Sequence, residues 1–332
     1  MNLQYRINLL SRLGEYILSG NEQWAEAKIK AGHVNGWFIP EFTNLASENI
    51  ARRFLQKDLL EQWVKAYDLK STSENPKMVG IIMAGNIPMV GFHDLLAVFI
   101  SGHKALIKLS SKDETLIKHL TDKLIEWEPE TSSFIRFEEM LKGCDAYIAT
   151  GSNNSSRYFE YYFGKYSHII RRNKTSVAIL SGNETTTELE KLADDVYLFF
   201  GLGCRNVTKI YVPEGYDFIP LLESFKKYNW LADHYKYKNN YDYNLAIHIL
   251  NSKYYMSNSS LLLVQESSIF SPISQLNYEF YSDLDSVKAT LNMSQDLQCI
   301  VGKDFVPFGQ AQSPGLDDFA DCVNTMDFLH NL

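Results

Sequence analysis

Apolar residues recur at three- and four-residue steps along the first part of the chain. Leu9, Leu10, Leu13 and Ile17 form one stripe, and Ile50, Phe54, Leu55, Leu59 and Trp63 form another. This spacing predicts helices to about residue 69, with Thr43 or Ser47 as a candidate cap for the second. From Pro76 the texture changes to short β-branched runs alternating with helical stretches. Strands are expected at 78–83, 104–108, 146–149 and 177–180, with helices over 88–100, over 113–127 and from the Thr150-Gly151-Ser152-Asn153-Asn154 turn through Phe163. This is the pattern of βαβ units in a mainly parallel sheet, whose right-handed crossovers place the strand-to-helix turns along one carboxyl edge, where such folds bind ligands.

A helix over 187–200 leads to Gly201-Leu202-Gly203-Cys204 and a strand over 208–212 closed by Pro213. The stretch 228–255, rich in Asn and Tyr, shows no clear period and is expected to be a surface or substrate-facing segment. Strands near 261–264 and 299–301 bracket a helix over 283–292, and no internal repeat is present.

Composition narrows the class. At 332 residues the chain exceeds what one hydrophobic core usually organises, so two lobes are expected. With 45% hydrophobic and 22% charged residues it falls among ordinary globular proteins. Net charge is −8, which disfavours a nucleic-acid partner or retention on an anionic membrane. No apolar run reaches membrane-spanning length, so no membrane insertion is expected, and the N-terminus lacks the pattern of a secretory signal. Four cysteines without metal spacing read as reduced thiols in a cytoplasm. The histidines, His93, His168, His234 and His248 among them, form no metal-ligand spacing, so no metal is expected.

Three places carry candidate chemistry. Cys204 follows Gly201 and Gly203, whose missing side chains allow another backbone or a flat cofactor to approach, and a thiolate there would be a strong nucleophile. Taken alone, a single cysteine after a helix reads first as a small buried hydrophobe, the reading kept for Cys144, Cys299 and Cys322. In Ala84-Gly85-Asn86-Ile87-Pro88, Pro88 suits the first turn of a helix, so Asn86 reads as its N-cap or as an amide donor to an oxyanion. Lys108, Ser110, Ser111 and Lys112 end a strand at the ligand edge, and Gly151-Ser152 opens a helix. Both suit a ribose or phosphate, although neither a G-x-G-x-x-G fingerprint nor a P-loop is present.

The order of these motifs resembles the aldehyde dehydrogenase superfamily and, within it, the LuxC-like acyl-CoA reductases. Residues 84–88 resemble the segment carrying the oxyanion asparagine, and 102–110 the adenosine-side lysine strand. Thr150-Gly151-Ser152 is similar to the phosphate-facing turn, Gly201-Leu202-Gly203-Cys204-Arg205-Asn206-Val207 to the nucleophile segment, and Pro307-Phe308-Gly309 to a motif near the end of the catalytic lobe. The likeness covers roughly residues 76–320. Two departures stand out. No acid occupies 169–174, where the family's usual glutamate base would fall, and serines stand at 267–268, near the second glutamate's place, beside Glu266. Hydrolysis of an acyl-enzyme needs a base to activate water, whereas reduction of a thioester does not.

The resemblance implies an α/β, aldehyde dehydrogenase-like fold: a helical N-terminal region (1–75), a Rossmann-like dinucleotide-binding lobe (76–198), a catalytic lobe (199–305) and a tail (306–332) returning to the cofactor lobe. It implies a cytoplasmic acyl-CoA reductase that forms an aldehyde through S-acyl-Cys204. Asn86 and the Cys204 backbone N–H would face the oxyanion, and Lys108, Ser110, Ser111, Gly151 and Ser152 would face the cofactor. Ser111 stands where many relatives carry an acidic ribose ligand, so NADPH is expected over NADH. The substrate would be an acyl-CoA or an acyl-carrier protein thioester. An acyl-phosphate reductase, a catalytically silent binding or scaffold protein, and assembly as a homo-oligomer are left open.

Overall fold

The helical period at the N-terminus resolves into α1 (Leu3–Leu18), α2 (Glu22–Val34), α3 (Pro40–Asn49) and α4 (Lys57–Ala66) in the computed structural model, which describes residues 1–72 and 75–332. Positions 73 and 74 of the expected N-terminal region lie outside the described residues. The α1 stripe is buried as its spacing predicts, and Asn2 caps the helix by accepting the Tyr5 N–H at 2.8 Å. Neither Thr43 nor Ser47 is a cap. Both lie inside α3, which opens at Pro40, and the Ser47 hydroxyl donates back to the Thr43 carbonyl.

The chain divides into two units, Met1–Asn173 with Pro314–Leu332, and Lys174–Ser313. The first unit holds β1 (Met78–Ile82), α5 (Phe92–Ile100), β2 (Lys104–Lys108), α6 (Thr115–Trp127), β3 (Ile135–Phe137), β4 (Ala146–Thr150), α7 (Asn153–Phe163) and β5 (Ser167–Arg171). Its five strands are all parallel in the order β3-β2-β1-β4-β5. Helix α5 is apolar on nearly every side and correspondingly buried.

The second unit contains β6 (Thr175–Ile179), α8 (Thr186–Tyr197), β7 (Val207–Pro213), α9 (Ile219–Phe225), α10 (Tyr235–Leu250), β8 (Met256–Ser257), β9 (Leu262–Gln265), β10 (Gln275–Tyr281), α11 (Leu284–Asn292) and β11 (Leu297–Val301). Its sheet runs β11-β6-β7-β10-β9-β8, parallel except for the β8–β9 pair. A last helix, α12 (Thr325–His330), packs on α5 in the first unit.

Three expectations change. The second crossover closes on β5, not on the strand at 177–180. Ser167–Arg171 pairs with β4 along its whole length, while β6 pairs with β7 and β11. The division therefore falls at 173/174, not at 198/199, and the return at 313/314, not at 305/306. The later return has a local cause: the Asp195 carboxylate on α8 accepts the N–H groups of Gly309 and Ala311, fastening that stretch to the second unit.

The Asn- and Tyr-rich stretch contains a regular helix, α10, whose buried positions are Tyr237, Asn244 and His248. Because these are aromatic or polar, and Asn244 and His248 bond to Ile273 O and Gln275, no apolar period marks it. The terminal segment is held within the first unit by His93 Nε2 to Leu316 O at 2.9 Å and His103 Nε2 to Leu329 O at 3.1 Å. Among the described residues no helix is long and apolar enough to cross a membrane.

Candidate active site

In the first unit, Ile82 at the end of β1 lies opposite Lys108 of β2 on one side and Ala149 of β4 on the other. The turns after all three strands leave from one edge. The strand order reverses between β1 and β4, the place where open α/β sheets form a ligand crevice. The expected cofactor residues Lys108, Ser110 and Ser111 and the expected oxyanion residue Asn86 thus come from neighbouring strand ends. Lys108, Ser111, Lys112 and Asn86 are exposed, and Ser110 is half-buried. Gly85 explains how closely the two turns approach, since a Cβ there would stand 2.7 Å from Ser110 Oγ and 3.1 Å from Lys112 Cβ.

Asn86 is not the cap of a helix opening at Pro88. Helix α5 begins at Phe92 after Gly91, and Met89 adopts a left-handed φ of 55°, which interrupts any helix over 88–91. Asp113 holds that conformation, its Oδ2 accepting the Met89 N–H at 2.5 Å. Asp113 itself is buried, and desolvation pushes its carboxyl up to about 7. The sequence places Asp113 at the start of a helix, whereas α6 begins at Thr115 and the side chain reaches across to Met89.

Ser152 is the N-cap of α7, its hydroxyl oxygen accepting the Ser155 N–H at 3.2 Å. The Gly151 N–H donates to Arg171 O at 3.3 Å. The Gly151 N–H is therefore engaged within the fold and the Ser152 oxygen serves as a cap acceptor, so what this turn offers an anion is the α7 N-terminus and its dipole. The segment expected to lack a base carries Arg171 instead, whose buried guanidinium pairs with Asp94 and donates to Thr325.

In the second unit, the nucleophile segment follows a strained turn. Phe199, Phe200 and Gly201 are consecutively left-handed, with φ of 55°, 57° and 74°. Fully buried Asn206 braces the turn: its side-chain amide donates to the carbonyls of Asp195, Val196 and Leu198, and its Oδ1 accepts the Gly203 N–H at 2.8 Å. The first two carbonyls belong to the last turn of α8 and the third to its C-cap, so one side chain both ends the helix and fixes the approach to Cys204.

Cys204 is half-buried, and its carbonyl accepts the hydroxyl of fully buried Ser176 at 3.1 Å. The same Ser176 oxygen accepts the Cys299 N–H at 3.2 Å and lies 3.1 Å from Cys299 Sγ, because β6 and β11 are neighbours. Of the other cysteines, Cys144 is buried in a cluster with Leu106 and Tyr147, which pushes its thiol up, while Cys299 is partly accessible and Cys322 exposed. The small-hydrophobe reading therefore fits Cys144 alone.

The Pro307-Phe308-Gly309 motif is fixed by Asp195, which accepts the Gly309 N–H at 2.6 Å and the Ala311 N–H at 3.0 Å. Burial pushes that carboxyl up to about 7. Glu266 is paired with Lys253 at 2.6 Å, which holds its carboxyl below the usual range, and buried Lys209 anchors the next residue through Ser267 O at 2.7 Å. Asp113, Ser176, Asn206 and Asp195 were given no role by sequence. The available signals were an acid inside the apolar α8 stripe of Leu189, Leu192 and Val196, and an asparagine two residues after the thiol.

Comparison with solved structures places this architecture among aldehyde dehydrogenases. A mutant of aldehyde dehydrogenase C from Pseudomonas syringae, complexed with NAD+ and octanal, matches with a TM-score of 0.65 at 12% identity, covering 92% of this chain and 73% of that one. An aldehyde dehydrogenase from Mycobacterium tuberculosis complexed with NAD+ gives 0.65 at 13% identity, covering 89% and 71%. Succinic semialdehyde dehydrogenase from Streptococcus pyogenes, complexed with NADP+, gives 0.66 at 14% identity, covering 90% and 76%. These likenesses establish the fold. A search of curated proteins found no match. A match to the family described as Acyl-CoA reductase (LuxC) spans residues 43–220, more than half the sequence, and with it the Asn86, Lys108, Gly151 and Cys204 segments; the chain belongs to that family of oxidoreductases.

Proposed function

We propose that the protein reduces acyl-CoA or acyl-carrier protein thioesters to aldehydes, with Cys204 as nucleophile and NADPH as the preferred reductant. The observation that carries this reading is the Cys204 turn, a half-buried thiol on a strained backbone fixed from below by Asn206 and Ser176. Such fixation lowers the reorganisation needed to reach an attacking geometry.

The strand-edge residues suit a dinucleotide. Lys108, Ser111 and Lys112 are exposed at the carboxyl edge, α7 directs its N-terminus there beside Gly151 and Ser152, and no acid among 108–112 would repel a 2′-phosphate. When bound, the cofactor supplies the hydride. The chain's own groups do the rest. Cys204 Sγ attacks the thioester carbonyl, the bond to the carrier sulfur breaks, and the carrier leaves as a thiolate. The Asn86 amide and the Cys204 N–H donate to the oxyanion. After reduction, the tetrahedral adduct on sulfur collapses to the aldehyde and regenerates the Cys204 thiolate.

Water is a poor acceptor for the acyl group in this reading. Arg171 is committed to Asp94, and Glu266 is held as a carboxylate by Lys253 and is correspondingly weak as a base. The test is incubation with acyl-CoA but no reduced cofactor, followed by mass spectrometry of a digest. An acyl group on Cys204 is expected, and one on Cys144, Cys299 or Cys322 instead would overturn the assignment. A steady-state panel of acyl-CoA, acyl-carrier and acyl-phosphate donors with NADPH and NADH then fixes donor and cofactor.

A further inference from the structure

The loop that carries Asn86 and the loop that carries the candidate cofactor residues are joined by one buried carboxylate. Asp113 is 4% exposed, and one of its oxygens, Oδ2, accepts the Met89 N–H. The other, Oδ1, is buried with no hydrogen-bond partner. Burying a carboxylate with half its acceptor capacity unused is costly, so packing alone gives no reason for an aspartate here. The partner is unusual as well: Met89 is a non-glycine residue in the left-handed region, a conformation that persists only where neighbours impose it.

The backbone around Asp113 is tied to the other loop at several points. The Asp113 N–H donates to Ser110 O at 2.9 Å, the Lys112 N–H donates to Ser110 Oγ at 3.3 Å, and Gly85 packs directly on Ser110. From the N-terminal helices, the Asn35 side chain donates to Lys112 O at 3.3 Å. Residues 110–113 therefore form a braced floor beneath 85–89, and Asp113 is the side chain that fixes where the far end of that loop stands.

We infer that Asp113 is a positioning residue for Asn86, setting the loop that aims its amide and coupling that aim to the cofactor-facing segment Ser110-Ser111-Lys112. This rests on the reading of Asn86 as an oxyanion donor. Without the Asp113 acceptor, the left-handed turn at Met89 keeps the Phe92 N–H bond to its carbonyl but loses its side-chain support, and the loop relaxes away from the arrangement in which Asn86 is presented. Misplacement of such a donor costs roughly ten- to a hundredfold in turnover.

A double-mutant cycle on kcat with a fixed acyl-CoA and saturating reduced cofactor tests the inference. Asp113→Ala should lower kcat roughly ten- to a hundredfold in the wild-type background and have almost no further effect in the Asn86→Ala background. Asp113→Asn keeps an oxygen for the Met89 N–H and should restore most of kcat. Equal losses in the two backgrounds, or an Asp113→Asn enzyme as slow as Asp113→Ala, would overturn the positioning role while leaving Asn86 in the mechanism. Undiminished kcat in Asn86→Ala alone would remove Asn86 from the mechanism and the inference with it. Should Asp113→Ala fail to fold, Asp113→Glu takes its place: it retains the carboxyl group but moves the acceptor by one methylene, and should be slow where Asp113→Asn is not.

Discussion

Replacing Asp195 by asparagine should change how stability depends on pH. In the fold its carboxyl is pushed by burial from 3.8 to about 7. Below about pH 4 the group is protonated in folded and unfolded chains alike. Between there and pH 7 the unfolded chain releases a proton that the fold retains, so this group's contribution to stability falls as pH rises, and above pH 7 the full loss is present. A gap of about three pH units at ~1.4 kcal/mol each sets a ceiling of about 4 kcal/mol for that loss. Asparagine has one oxygen where Asp195 uses two, Oδ2 for Gly309 and Oδ1 for Ala311, so one buried N–H loses its acceptor. That costs about 1–3 kcal/mol at every pH. Asp195→Asn should therefore be clearly less stable than the wild type at pH 5, with the gap closing or reversing by pH 8. Urea midpoints at pH 5, 6, 7 and 8 for both proteins provide the measurement. A wild-type-minus-mutant difference that is the same at pH 5 and pH 8 would refute the reasoning.

Cys204→Ser should abolish turnover while moving the melting temperature little, because a serine hydroxyl is scarcely ionised near neutral pH; a normal rate would sink the mechanism. Asn86→Ala should cut turnover roughly a hundredfold without the loss of about 1 kcal/mol expected of a vacated helix cap, since Asn86 caps no helix. Melting temperature and turnover measured on one preparation check both parts. Given an aldehyde and oxidised cofactor, the enzyme should form acid slowly without a thiol and acyl-CoA readily with coenzyme A; efficient acid formation would reveal a base that Arg171 and Glu266 do not supply. Ser176→Ala removes the hydroxyl donated to the Cys204 carbonyl and should lower kcat several-fold with KM for the acyl donor nearly unchanged. Equal kcat values would show that the turn holds itself.

What the sequence disclosed depended on periodicity. The strand at Lys104–Lys108 and the stripe of α1 are written in apolar spacing, and both are found where the spacing puts them. Helix α10 was hidden because its inward face is Tyr237, Asn244 and His248, satisfied by hydrogen bonds and not by apolar packing. The site divided in the same way. Motif order singled out the Asn86, Lys108, Gly151 and Cys204 segments as candidates. The supports beneath them, Asp113 under Met89 and Ser176 under Cys204, are long-range pairings between short polar residues, and no local pattern distinguishes such residues from caps or turn formers.

The division at 173/174 and 313/314 has a bearing on the order of events during synthesis. The first unit is assembled from two stretches of chain separated by the whole of the second, and its final pieces include α12 against α5 and the Thr325 hydroxyl that accepts from Arg171. The second unit is one uninterrupted stretch. As the chain leaves the ribosome, every strand of the later sheet is available before the earlier sheet receives its last helix, so the portion begun first is finished last. Until residues 314–332 emerge, Arg171 and Asp94 can pair but lack the third member of their cluster, and the α5 face that α12 covers stays open to water.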